Sequence, residues 1–145
     1  MDIKITSVIT PYENGVAVAE GRQMLSETAK GNLVFDENGG ILTYSQEKDG
    51  GKVDTVLTFP LSRERLTLTR KGLIKSNIVL EAQKTHNSLY EIPPYRFPMT
   101  ATLLSLDNGL SLEGGKLRLS YQMILGGEEQ TVSLLITVKK EGCDV

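Results

Sequence analysis

The sequence predicts an all-β protein: an antiparallel up-and-down meander of roughly eight to ten strands, closed or nearly closed into a barrel. Three observations carry that expectation. Apolar and polar residues alternate one for one along most of the chain. Turn residues recur about every ten positions from end to end, the spacing of a many-stranded β protein. No stretch shows a convincing helical stripe.

The alternation is plainest in residues 114–140. Leu117, Leu119, Tyr121, Met123 and Leu125 fall on one face, with Arg118, Ser120 and Gln122 on the other. Beyond Gly126 and Gly127, Val132, Leu134, Ile136 and Val138 alternate with Ser133, Thr137 and Lys139. Successive side chains of a strand point to opposite sheet faces, so this is a long two-faced hairpin.

From the N-terminus, Ile3, Ile5, Ser7 and Ile9 alternate with Lys4, Thr6 and Val8, predicting a strand over 2–10 that Pro11 stops. Asn14 and Gly15 then signal a hairpin, since both tolerate positive φ. A strand is expected over about 22–28, with Gly31 as a bulge or bend before 32–36. Asn38, Gly39 and Gly40 turn the chain, and Leu42, Tyr44 and Gln46 then oppose Ile41, Thr43 and Ser45. After Asp49, Gly50 and Gly51, residues Val53, Thr55, Leu57 and Phe59 share a face. Leu66 and Leu68 mark the next strand, Lys71 and Gly72 a turn, and 73–81 and about 86–92 two more strands. Pro93 and Pro94 predict an extended corner without ladder pairing. A strand over 97–106 and a short piece at 110–113 lead back to the final hairpin.

One domain fits 145 residues, a length that can bury a real core. At 39% hydrophobic residues, half-buried antiparallel strands are favoured over a parallel sheet. A net charge of −2 argues against a dedicated nucleic-acid binder. Arg63, Arg65, Arg70, Lys71 and the pair Lys139 and Lys140 are scattered, as on a solvated surface. The single cysteine, Cys143, excludes an internal disulfide and points to a reducing compartment. The N-terminal residues lack a signal-peptide core, so a cytoplasmic location is expected. No apolar run suits a membrane helix. With 6% aromatic residues and no tryptophan, the aromatic girdles of a membrane barrel are missing too.

Catalytic and cofactor motifs are absent. His86 is the one histidine, and no His-Glu-x-x-His, paired cysteines or Gly-x-Ser-x-Gly occurs. The glycine pairs at 39–40, 50–51, 114–115 and 126–127 precede strands, so they read as hairpin turns, not phosphate loops. Asp36, Glu37 and Asn38 lack the later ligands of a calcium loop. No metal or cofactor is therefore expected, and no enzymatic activity either unless a polar cluster forms around His86 or Arg70.

Some polar residues nevertheless share the inward phase. Arg70 follows Leu66 and Leu68 on one face. An inward arginine needs a carboxylate or a bound anion, because an unpaired buried charge is costly. The plainer alternatives place it at a rim, snorkelling outward, or against a structural acid. Tyr121 shares a face with Leu119 and Met123, where core packing with a bonded hydroxyl is the default. The same default applies to Tyr44, Tyr90 and Tyr95. For His86 it is a satisfied structural histidine.

A further pattern joins these positions. Thr69-Arg70-Lys71-Gly72 is followed by Glu81, His86, Ser88 and Tyr90. Tyr-Glu-Ile-Pro-Pro-Tyr-Arg-Phe-Pro-Met occupies 90–99, and Gly-Gly-Lys-Leu-Arg-Leu-Ser-Tyr occupies 114–121. Upstream stand Gly31, Tyr44-Ser45-Gln46-Glu47 and Thr55. In that order and spacing the chain resembles, over nearly its whole length, the DUF1934 or YwiB-like family of Firmicutes. The resemblance implies a small bacterial, cytoplasmic protein with a calycin-like, lipocalin-like barrel, and no particular activity. Two positions depart from the family: Arg96 replaces a glycine after Pro-Tyr, and Gln46 replaces an acidic residue, leaving Glu47 as the nearest carboxylate.

Two functional expectations follow. The first is a small-molecule ligand held without catalysis in the barrel interior or at its rim, with Arg70, Tyr44, Thr55, His86, Tyr90 and Tyr121 as candidate contacts. It predicts a cavity open at one end. The second is an interaction module with a filled barrel. An outer face or edge strand, with the 93–98 corner or Leu73 and Ile74, would meet a second copy in a homodimer or another protein. Neither involves nucleic acid or membrane.

Overall fold

The computed structural model describes residues 1–13, 16–48 and 50–140. Its strands are β1 (Asp2–Glu13), β2 (Val16–Ala17), β3 (Gln23–Phe35), β4 (Gly39–Lys48), β5 (Gly51–Pro60) and β6 (Arg65–Gly72). They continue with β7 (Lys75–Glu81), β8 (Thr85–Ile92), β9 (Tyr95–Asn108), β10 (Gly114–Leu125) and β11 (Glu128–Lys139). The described residues contain no α-helix, only a 3-10 turn at Ala19–Gly21.

From β3 to β11 each strand pairs antiparallel with the next. β1 pairs with β3 on one side and with β11 on the other, which closes the sheet. Ten of the eleven strands form this barrel; β2 pairs only with the end of β1. Closure removes the free edges of an open meander.

The predicted alternation decides which side chains point inward. Leu117, Leu119, Tyr121 and Met123 are buried in β10, as are Val132, Leu134, Ile136 and Val138 in β11. Ile3, Leu42, Leu57, Leu66, Leu80, Leu110, Leu117 and Ile136 are all essentially sealed from solvent. Burying each contributes roughly 1.5–3 kcal/mol relative to exposure, which fixes the register of every strand.

The end of the barrel near Leu110 is closed by Arg63, in the turn between β5 and β6. Its Nη1 donates to the carbonyls of Asn108 at 3.1 Å and Leu110 at 2.6 Å. The guanidinium also lies 5.9 Å from the Phe35 ring centre and 5.7 Å from that of Phe59. The two rings meet edge to face. Arg63 is thus a structural plug and not a scattered surface charge.

The structure corrects several expected boundaries. β1 does not stop at Pro11 but runs to Glu13. Pro11 is the last residue in register with β11, where a missing N–H costs no further ladder bond, and its carbonyl accepts from Val18 N at 2.9 Å. Gly31 is no bulge: β3 is continuous, and Gly31 pairs with Tyr44. A Cβ there would lie 2.1 Å from the Thr43 carbonyl oxygen and 2.5 Å from Ile3 Cδ1, so glycine serves close packing. The turn expected at Lys71 and Gly72 sits later, because β6 runs to Gly72 and β7 begins at Lys75. Pro93 and Pro94, joined by a cis peptide bond, form the tip of a hairpin and not an extended corner. Ile92 and Tyr95 pair directly across that tip, and the ladder continues through Leu89 and Pro98. The piece expected at 110–113 is a turn with one bridge, between Ser111 and Gly114. The expected turn residues Asn14, Gly15 and Asp49, and Cys143, lie outside the described residues.

Candidate functional site

The inward residues change character along the barrel. Near Leu110 they are mainly leucine, isoleucine and phenylalanine, all buried. Toward the other end Ser7, Thr55 and Ser76 occupy inward positions. Small polar side chains cannot fill a barrel of this girth, and a cavity of about 240 Å³ remains. Ile5, Ile9, Ile78, Met123, Val132 and Leu134 form much of its wall. It reaches the surface past Leu25 and Lys48, both exposed.

One cross-strand row supplies its polar groups. Tyr44 on β4 pairs with Thr55 on β5, and Thr55 with Arg70 on β6. Arg70 pairs with Ser76 on β7, and Ser76 with Tyr90 on β8. Directly paired residues point to the same side of a sheet, so five neighbouring strands aim a polar side chain at the interior. Tyr121 on β10 also lines the cavity. Tyr44 is 4% exposed, Thr55 1% and Tyr121 3%, while Arg70 and Tyr90 are half-buried.

Arg70 makes no hydrogen bond or ion pair with any described residue. The expected alternative of a structural acid partner does not hold. One carboxylate, Glu27, does line the cavity. It accepts instead from Gln46 Nε2 and Lys48 Nζ, and so is drawn away from Arg70. On either side of Arg70, Thr55 Oγ1 and Ser76 Oγ are buried without a hydrogen-bond partner among the described residues.

Burial pushes the Tyr44 phenol above its ordinary pKa of 10.0; Arg70 and the nearby Thr55 hydroxyl oppose the shift, and Glu27 adds to it. Thr55 lies close enough to favour the phenolate, yet not in the geometry of a formed hydrogen bond. Burial likewise raises Tyr121, against the pull of Arg70 and with the help of Tyr90 and Tyr44. Both phenols are therefore neutral near pH 7 and keep an O–H to donate.

Of the six residues singled out in the sequence, five belong to this assembly: Arg70, Tyr44, Tyr90 and Tyr121 line the cavity, and Thr55 lies in the row behind it. His86 does not join them. Its Nε2 is 3.2 Å from Glu81 Oε1, without hydrogen-bond geometry, in the gap where β7 and β8 separate. Tyr95 is 64% exposed, so its expected core packing is not found. Sequence reasoning missed Ser76 and Glu27, and it noted Gln46 only as a departure from the family. Ser76 carried a usable signal, being in phase with Ile78 and Leu80. At the two family departures, Gln46 and not Glu47 faces the cavity, and Arg96 pairs with Glu91 at 3.4 Å in the β8–β9 ladder.

A larger depression, of about 460 Å³, lies on the outer wall over Ile41, Thr58, Thr67 and Val79. Those residues form one register row of outward side chains across β4 to β7.

These features define a closed ten-strand antiparallel barrel, filled at one end and hollow with a polar lining at the other. Residues 3–135 match the family described as Domain of unknown function (DUF1934), and the chain belongs to that family. It is 24% identical over 141 residues to the Uncharacterized beta-barrel protein YwiB of Bacillus subtilis (strain 168), covering 97% of each chain. The crystal structure of the ywiB protein from Bacillus subtilis superposes with a TM-score of 0.71 at 19% identity, over 96% of this chain and 92% of that one. At that identity the likeness establishes the shared fold.

Proposed function

We propose that this protein is a non-enzymatic barrel that holds a small molecule in the cavity beside Arg70. The observation that carries the reading is the row from Tyr44 to Tyr90. It places a guanidinium without a protein partner at the cavity wall, flanked in the row by two buried hydroxyls that also lack partners among the described residues. Folding tolerates such groups where a bound molecule completes them. Nothing in the cavity suggests acid–base catalysis: its one carboxylate is engaged by Gln46 and Lys48, and His86 lies elsewhere. Native mass spectrometry of protein purified from its own host tests the proposal. A retained small molecule, lost from Arg70→Met, is the expected result. Bare protein at every stage of purification contradicts it.

The β8–β9 hairpin favours a second reading, in which a homodimer or another protein is met by the outer face. Leu89, Ile92 and Tyr95 are exposed there, close to the mouth. Barrel closure removes the edge-strand variant of this idea. Light scattering at micromolar concentration tests it: a dimer dissolved by Leu89→Ser with Tyr95→Ser supports it, and a monomer opposes it.

A further inference from the structure

We infer that the cavity ligand is a compact monocarboxylate with an apolar body, its carboxylate seated on Arg70. The inference rests on the binding reading above and specifies the chemistry of the same site.

Charge is the first argument. The cavity wall carries two cationic groups, Arg70 and Lys48. Lys48 is taken by Glu27, which leaves one cationic group to be met. A single negative charge balances it. A phosphate dianion would exceed that balance and would meet Glu27 at the same mouth.

Hydrogen bonding is the second. The guanidinium donates only, and the hydroxyls of Tyr44, Tyr90 and Tyr121 at the same cavity have O–H groups to give. Such a set suits a group that only accepts. A planar carboxylate also matches the guanidinium fork, which can bind it through two parallel bonds.

Shape is the third. Away from the polar row and from Glu27, Gln46 and Lys48, the wall is mostly isoleucine, valine, leucine and methionine, broken by Ser7 and Gln130, so the rest of the ligand is mainly apolar. A dry cavity of about 150 Å³ holds benzene, so a space of this size takes on the order of ten non-hydrogen atoms. A ring or branched carboxylate fits. A long acyl chain does not.

Titration calorimetry and methyl NMR on the intact chain decide the matter, with benzoate, benzamide, inorganic phosphate and xenon as probes. Benzoate is expected to bind at least tenfold more tightly than benzamide, and phosphate is expected not to displace it. Arg70→Met should weaken benzoate far more than benzamide and so erase the preference, and Arg70→Lys should restore only part of it. Equal binding of benzoate and benzamide, displacement by phosphate, or an unchanged preference in Arg70→Met would overturn the monocarboxylate. Xenon bound without benzoate would overturn it too, while sparing the binding cavity. Failure of all four probes would overturn this inference and the binding reading together. Should Arg70→Met not fold, the wild-type comparison of benzoate with benzamide decides alone.

Discussion

Thr55 and Arg70 face each other across β5 and β6, and neither completes its hydrogen bonding within the described protein. A buried hydroxyl left unpaired costs about 1–3 kcal/mol, and a charge costs more the further it is withdrawn from water. Two such neighbours in an otherwise well-packed barrel lower folding stability at the place where the proposed ligand would sit.

The first prediction concerns that cost. Thr55→Val keeps the side-chain shape and removes the unpaired oxygen. It is expected to raise the unfolding free energy in urea by about 1 kcal/mol in the ligand-free protein. A loss of similar size would mean that the hydroxyl is bonded after all.

The second concerns the phenols. Folding raises the pKa of Tyr44 and Tyr121, burial being the main cause. A raised acid favours the folded state in full below the ordinary tyrosine pKa of 10.0, and that stability is lost as pH rises through the raised values. Ultraviolet titration should therefore show these two ionising above the ordinary range. Because Arg70 pulls both downward, Arg70→Met should move them higher still. A downward move would contradict the placement of the guanidinium.

Much of this arrangement was legible before the fold was known, and the physical reason is specific. Burial of one face makes Leu117, Leu119 and Tyr121 recur with period two, so the strands and the inward phase of Arg70 could be read directly. The row itself could not. That Arg70 falls between Thr55 and Ser76 depends on cross-strand register, which turn lengths set and alternation does not. Where β6 ends, at Gly72, was misplaced for the same reason. The engagement of Glu27 by Gln46 and Lys48 joins residues 19 and 21 positions apart, beyond any local pattern. Gly31 looked like a bend because its real constraint, contact with Ile3 and Thr43, comes from distant strands.

The third prediction tests the closed end. Arg63 has φ 60°, a left-handed conformation that suits glycine better. Arg63→Ala loses both charge-assisted bonds while keeping the strain, and should destabilise by roughly 2–4 kcal/mol. Arg63→Gly should cost about 1 kcal/mol less, through relief of that strain. The order of the two urea midpoints is the readout, and alanine being the milder change would contradict the account.

The fourth contrasts two glycines. Gly31→Ala forces a Cβ against the Thr43 backbone and should cost about 3 kcal/mol or prevent folding. Gly127→Ala meets nothing within 4 Å and strains only a φ of +86°, so about 1 kcal/mol is expected. Equal thermal shifts for the pair would show that β3 and β4 do not approach as closely as described.

The most direct measurement is the anomalous bromine map of crystals grown with 4-bromobenzoate. The account predicts a bromine peak inside the barrel near Met123, with the carboxylate within hydrogen-bond reach of Arg70. Bromine found only on the outer wall, with Arg70 turned out to solvent, would contradict it.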